Sequence, residues 1–189
     1  VAGSCGTAFY FALSVVTDFR MKYPWLIYFL PIGGLAIVGL YHLCKDDNDT
    51  GTNLVISAIH SGDKVPFIMA PLIFVSTLIT HLFGGSAGRE GAALQLGGSI
   101  GNGLGRLFHF DEKDKHIMIM CGMSAAFSAL FGTPMAAAIF SMEVVSVGIM
   151  YYAALVPCVI SSLIAHAIAT SFGVSPDGFP LGKIPDFTI

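Results

Sequence analysis

Charge is what this sequence has least of. Only 11% of its 189 residues are Asp, Glu, Lys or Arg, against about 25% in an average soluble domain. Apolar residues make up 54%, and mean hydropathy is +0.77. That balance excludes an ordinary soluble domain and points to a chain that crosses a membrane several times. Nine basic residues against twelve acidic ones leave a net charge of −3, which offers nucleic acid no electrostatic footprint. Cysteine is sparse as well. Cys5, Cys44, Cys121 and Cys158 stand far apart in apolar sequence, with no CxxC and no zinc spacing, and they read as small buried residues. The six histidines are equally scattered: His109 and His116 flank a charged loop, and His42, His60, His81 and His166 lie near segment ends. No metal or organic cofactor is expected. HExxH is missing too, so an enzyme would lack that metal-binding pair.

The few charges are grouped. They fall around Asp18–Lys22, in 45–49, at Asp63 and Lys64, in 106–115 and after Gly173, and only Arg89, Glu90 and Glu143 stand within otherwise apolar sequence. An ionisable side chain at membrane depth costs about 2.5–3.5 kcal/mol or more and is a functional candidate by default. Between the charged groups run apolar segments at 1–19, 24–44, 66–83, 91–108, 116–131, 134–147 and 151–172. Several approach the ~20 residues that cross hydrocarbon. A short helix is expected near 54–60. Pro24 and Pro134 suit helix starts, Asp111 suits an N-cap, and Pro157 is a candidate kink. Gly91, Gly97, Gly98, Gly101, Gly103 and Gly105 would weaken a helix in water but favour close packing in lipid. Ser124 and Ser128 read as packing residues. Gly101-Asn102-Gly103-Leu104-Gly105 suggests a nucleotide loop only faintly, with no preceding strand and no Walker lysine. Lys and Arg are too evenly spread to fix orientation. The chain opens on Val1 with an apolar pattern already under way, so its start is expected upstream; the stretch 174–189 reads as a loop.

The stretch that organises the rest is Gly84-Gly85-Ser86-Ala87-Gly88-Arg89-Glu90-Gly91. Glycines ahead of a helix let several backbone N–H groups converge, and the helix dipole adds partial positive charge. Such a turn is an anion site in the making, and within a membrane it is the broken-helix ion site of transporters. A carboxylate beside it can compete with the anion when charged and withdraw when protonated. Gly-rich turns before helices are also common as plain connections. Arg89 has a structural role open to it, neutralising Glu90 or reaching the headgroups. Glu143 can be structural, bonded to backbone amides at a helix restart. Thr52 and Asn53 can merely cap a short helix.

GGSAGREGAALQLGGSIG and SAAFSALFGTPMAAAIFSMEV resemble two segments of the CLC anion channels and anion/proton antiporters, the first being that family's GREGP region. The likeness covers nearly the whole chain. It implies an all-α polytopic membrane fold with tilted, broken and re-entrant helices, residues 1–189 forming the N-terminal of two inverted halves. It implies Glu90 as gate and proton carrier, and Gly88, Arg89, Glu90 and Gly91 as the lining of the anion site. Thr52 stands where the family's coordinating Ser is expected, with Asn53 beside it, although the Gly and Pro of that motif are replaced. Ala92 replaces the Pro of GREGP. Val144 replaces an internal proton-transfer Glu next to Glu143, and a valine cannot relay a proton. Together with the FGGSAGREG and FGTP flanks, these departures resemble the fluoride/proton antiporter branch. That branch usually carries Thr at the position of Ala92 and often Met at that of Thr52. The resemblance further implies a bacterial plasma membrane location, a second half supplying the remaining anion ligands, and a homodimer through 134–147 and 151–172. Two rivals remain: a membrane enzyme pairing Glu90 with Glu143, and a structural membrane protein that transports nothing.

Overall fold

A backbone surrounded by hydrocarbon must satisfy its own hydrogen bonds, so apolar runs of this kind coil. The computed structural model describes residues 1–44, 67–145 and 151–174, and every regular element among them is a helix. The helices are α1 (Ala2–Lys22), α2 (Leu30–Leu43), α3 (Met69–Leu82), α4 (Arg89–Leu107), α5 (Glu112–Phe131), α6 (Pro134–Glu143) and α7 (Leu155–Ser171). Turns of 3₁₀ helix at Pro24–Phe29 and Tyr152–Ala154 lead into α2 and α7. Thr52, Asn53, the helix expected near 54–60 and nearly all of the stretch 174–189 lie outside the described residues.

Sequence signals account for the joints. The Asp111 side chain caps α5, accepting the Asp114 N–H at 2.9 Å, as expected of an N-cap aspartate. Gly132 ends α5 with φ of 69°, a left-handed position that glycine takes without steric cost. Pro134 then opens α6. Three expectations need correction. The stretch 24–44 is not one α-helix, because Pro24 opens a 3₁₀ turn and the α-helix begins only at Leu30. Pro157 produces no interior break, because it sits in the first turn of α7, where its missing N–H is needed by no preceding carbonyl. Helix α6 closes at Glu143 instead of running to 147.

Helix α5 is the axis of the bundle and packs on α4, α7, α1 and α6. Its seam with α4 is backbone against backbone. A methyl group added at Gly97 would run into the Gly122 carbonyl, one at Gly122 into the Gly97 carbonyl, and one at Gly101 into the Met118 carbonyl. Every residue of α4 from Ala92 to Asn102 is buried. The α5–α7 seam carries hydroxyl clamps instead: Ser124 Oγ donates to the Cys158 carbonyl at 3.0 Å and Ser128 Oγ to the Ser162 carbonyl at 2.8 Å. Such contacts average about 0.6 kcal/mol each within membranes. Pro24–Leu43 and Tyr152–Ser171 are 20 residues each with mean hydropathies of 1.8 and 1.9, long and apolar enough to cross a bilayer. The first is almost wholly exposed, displaying Trp25, Tyr28, Ile32, Leu35 and Val38, a surface suited to lipid rather than water.

Candidate functional site

The glycine-rich turn begins as a helix stop. Gly84, at φ +80°, donates its N–H to the His81 carbonyl at 3.1 Å, and Gly85 donates to the Thr80 carbonyl at 2.8 Å. This pair of bonds is a Schellman motif, which satisfies the last carbonyls of α3. Four residues later the chain enters α4 through Gly88, with φ −65°, ψ 132° and no side-chain cap. The N–H groups of the first helical turn have no intrahelical acceptor, and none is supplied by the N-cap side chain. Arg89 is half-buried, its guanidinium 5.9 Å above the centre of the Phe131 ring at the end of α5. That cation–π contact holds the start of α4 against the stop of α5. Glu90 sits in the first turn with its side chain exposed, between exposed Gly88 and half-buried Gly91. A carboxylate there is favoured by the helix dipole.

Glu143 is half-buried and closes α6. It therefore stands at a helix end. Val144 follows as the cap residue, an alkyl side chain with no proton to exchange.

Beside the turn lies a polar cleft that the sequence reading did not single out. A cavity of about 350 Å³ is lined by Tyr10, Leu13, Ser14, Thr17, Asp18, His81 and Arg89. A second cavity of about 230 Å³ shares Thr17 and His81 and reaches Arg20 and the stretch 84–87. His81 Nδ1 lies 2.9 Å from the Thr77 carbonyl. A carbonyl only accepts, so that nitrogen carries the proton and Nε2 is left for other partners. A signal was available: Tyr10, Ser14 and Thr17 recur at i, i+4 and i+7, a polar stripe along an otherwise apolar helix.

Residues 33–188 match the voltage gated chloride channel family. The chain belongs to that family, the CLC proteins. It is 39% identical over 185 residues to a chloride/fluoride channel protein of Pseudomonas syringae pv. tomato, covering 97% of this chain and 41% of that one. It is 29% identical over 168 residues to the H(+)/Cl(−) exchange transporter ClcA of Cronobacter sakazakii, covering 76% and 34%. The crystal structure of a CLC-type fluoride/proton antiporter superposes with a TM-score of 0.89 at 38% identity, over all of this chain and 48% of that one. The all-α CLC-type architecture expected from GREG and FGTP is therefore present, and the chain spans less than half the length of these CLC relatives.

Proposed function

We propose that this chain forms the N-terminal half of a CLC-type transporter that carries small halides across a bacterial plasma membrane, with Glu90 as its gate. The observation that carries the reading is the start of α4: a Gly-led turn without a side-chain cap, an acid in its first turn, and a buried helix behind it. A halide leaving water loses many kcal/mol of hydration. Amide dipoles of Gly88, Arg89, Glu90 and Gly91 replace part of that hydration without a full fixed positive charge, so the ion can leave again. Thr52 and Asn53 add a hydroxyl and an amide from the preceding segment. The Glu90 carboxylate competes for the same place when ionised; a protonated Glu90 yields it and carries a proton across. Val144 denies the chain the family's inner relay, and fluoride/proton antiport is the branch that fits this departure best. The relative named for both chloride and fluoride and the superposed fluoride/proton antiporter support the choice of branch. No enzyme chemistry is invoked.

The second half of the subunit supplies the remaining anion ligands. Subunits pair through 134–147 and 151–172, whose described part exposes Met135, Ile139, Phe140, Val156, Ile160 and Leu163. The test is flux from liposomes holding the full-length protein, followed with fluoride and chloride electrodes and external pH. Fluoride release coupled to proton uptake is expected. Glu90→Gln removes the coupling while anion flux persists; pH-coupled exchange left intact in that variant refutes the gate.

A further inference from the structure

Two of the four thiols meet inside the bundle. Cys121 of α5 and Cys158 of α7 bring their sulfurs to 4.0 Å. Cys158 is fully buried, with the Ser141 hydroxyl of α6 beside it. Cys121 is half-buried and borders an apolar cavity of about 220 Å³ lined also by Gly3, Leu104, Met118, Ile164 and Ala165. The backbone under both thiols is fixed, because Ser161 Oγ reaches the carbonyls of Cys121 and Cys158 at 3.1 Å each.

This geometry selects a ligand. A pyramidal trivalent centre bound at about 2.3 Å to each of two sulfurs sets them about 3.4 Å apart, so the pair suits a bent bridge rather than a linear one and closes by about 0.6 Å to take it. A divalent metal would need further ligands, and no group of three or more His, Cys, Asp or Glu is gathered among the described residues. An ionic complex would also carry the desolvation cost of a buried charge. The centre that fits is trivalent, takes two sulfurs and one apolar group, and is neutral when bound. We propose that Cys121 and Cys158 form a dithiol site for neutral monosubstituted trivalent arsenicals, the organic group entering the adjoining cavity. Two As–S bonds form and the As–O bonding of the arsenoxide breaks. Both thiol protons leave with the oxygen as one water, and nothing is oxidised or reduced. The product ties α5 to α7 across their seam. The site is independent of the transport reading.

The test uses the full-length protein in detergent with phenylarsine oxide as probe, read by intact mass and peptide mapping. One phenylarsenic per site is expected, bridging a peptide of α5 to one of α7, resistant to excess glutathione and removed by 2,3-dimercaptopropanol. Cys121→Ser and Cys158→Ser each weaken retention by at least about a hundredfold, the chelate advantage of two linked contacts, while Cys5→Ser and Cys44→Ser retain it. Absence of the adduct from the wild type overturns the proposal. So does an adduct mapped to other cysteines, or equal retention in either single variant. If a serine variant does not fold, the wild-type peptide map decides alone.

Discussion

Helices α4 and α5 lie against each other backbone to backbone, yet their first turns follow opposite plans. At α5 the chain provides its own acceptor: Asp111 takes the Asp114 N–H, and Glu112 and Asp114 add negative charge in the first turn. That is a start built for folding, exposed to water and complete in itself. At α4 the cap is Gly88, which has no side chain to offer, and the turn carries Arg89 and Glu90 instead. A helix that is otherwise deeply buried thus leaves its most polar end without the device its neighbour uses. The contrast teaches where stability was given up. Capping α4 with an aspartate would satisfy the same amides that, in the proposed reading, receive a halide.

The comparison breaks most completely if the two helices cannot touch. Gly97→Leu drives a side chain into the Gly122 carbonyl, where no rotamer change relieves it. Overpacking costs about 1–3 kcal/mol in ordinary cores and more against rigid backbone, so the expected outcome is loss of monodisperse protein in size-exclusion chromatography. Gly34→Ala, with nothing within 4 Å of the added methyl, leaves the profile unchanged. Next in size is the exchange of plans. The backbone of Gly88 already has φ of −65°, and open space surrounds it, so Gly88→Asp fits without strain. Its carboxylate caps α4 as Asp111 caps α5. Stability rises by a few tenths of a kcal/mol at most. Halide efflux from liposomes falls by about tenfold or more, the effect of a competitor worth about 1.4 kcal/mol in the anion's place. Unchanged efflux would mean that the two helix starts differ without functional consequence.

How much of this was legible beforehand follows from how local each signal is. The Asp111 cap, the Gly132-Thr133-Pro134 break and the tight glycine face of α4 are written in single residues, and each appears where its chemistry places it. The family was legible for the same reason, since GREG and FGTP are contiguous strings. Errors arose where length depends on the neighbours. Pro24 reads as a helix start, but whether an α or a 3₁₀ turn follows depends on what packs around it. Pro157 reads as a kink until the true helix start, only two residues earlier, is known. The polar cleft needed the helices brought together, because Tyr10 and His81 are far apart in the sequence. The Cys121–Cys158 contact is likewise invisible to spacing rules written for metal motifs.

Smaller tests sharpen the capped side. Asp111→Ala removes the acceptor of the Asp114 N–H and should cost about 1 kcal/mol, read as a lower melting midpoint, with halide efflux from liposomes unaltered. If efflux fell in proportion, the capped start would share the role assigned to the uncapped one.

The smallest effect is one turn further on. Lys115 Nζ lies 2.9 Å from Glu112 Oε1, and the glutamate side chain is 74% exposed. The hydrogen bond from Lys115, then its charge, holds the Glu112 carboxyl below the usual carboxylate range. A folded-state value below the unfolded one means that the pair's contribution is present above the unfolded value and fades as pH falls through the folded one. The window is therefore acidic, and at neutral pH the contribution is complete. Solvent screening makes it slight even there. Lys115→Met should move the Glu112 titration, followed by carbon NMR, back up toward the ordinary range, while the melting midpoint at neutral pH stays within error. A large loss of stability in that variant would show that the α5 start relies on its charges as well as its cap. The two helix starts would then differ in electrostatics more than in hydrogen bonding, and Gly88→Asp would no longer be a fair exchange between them.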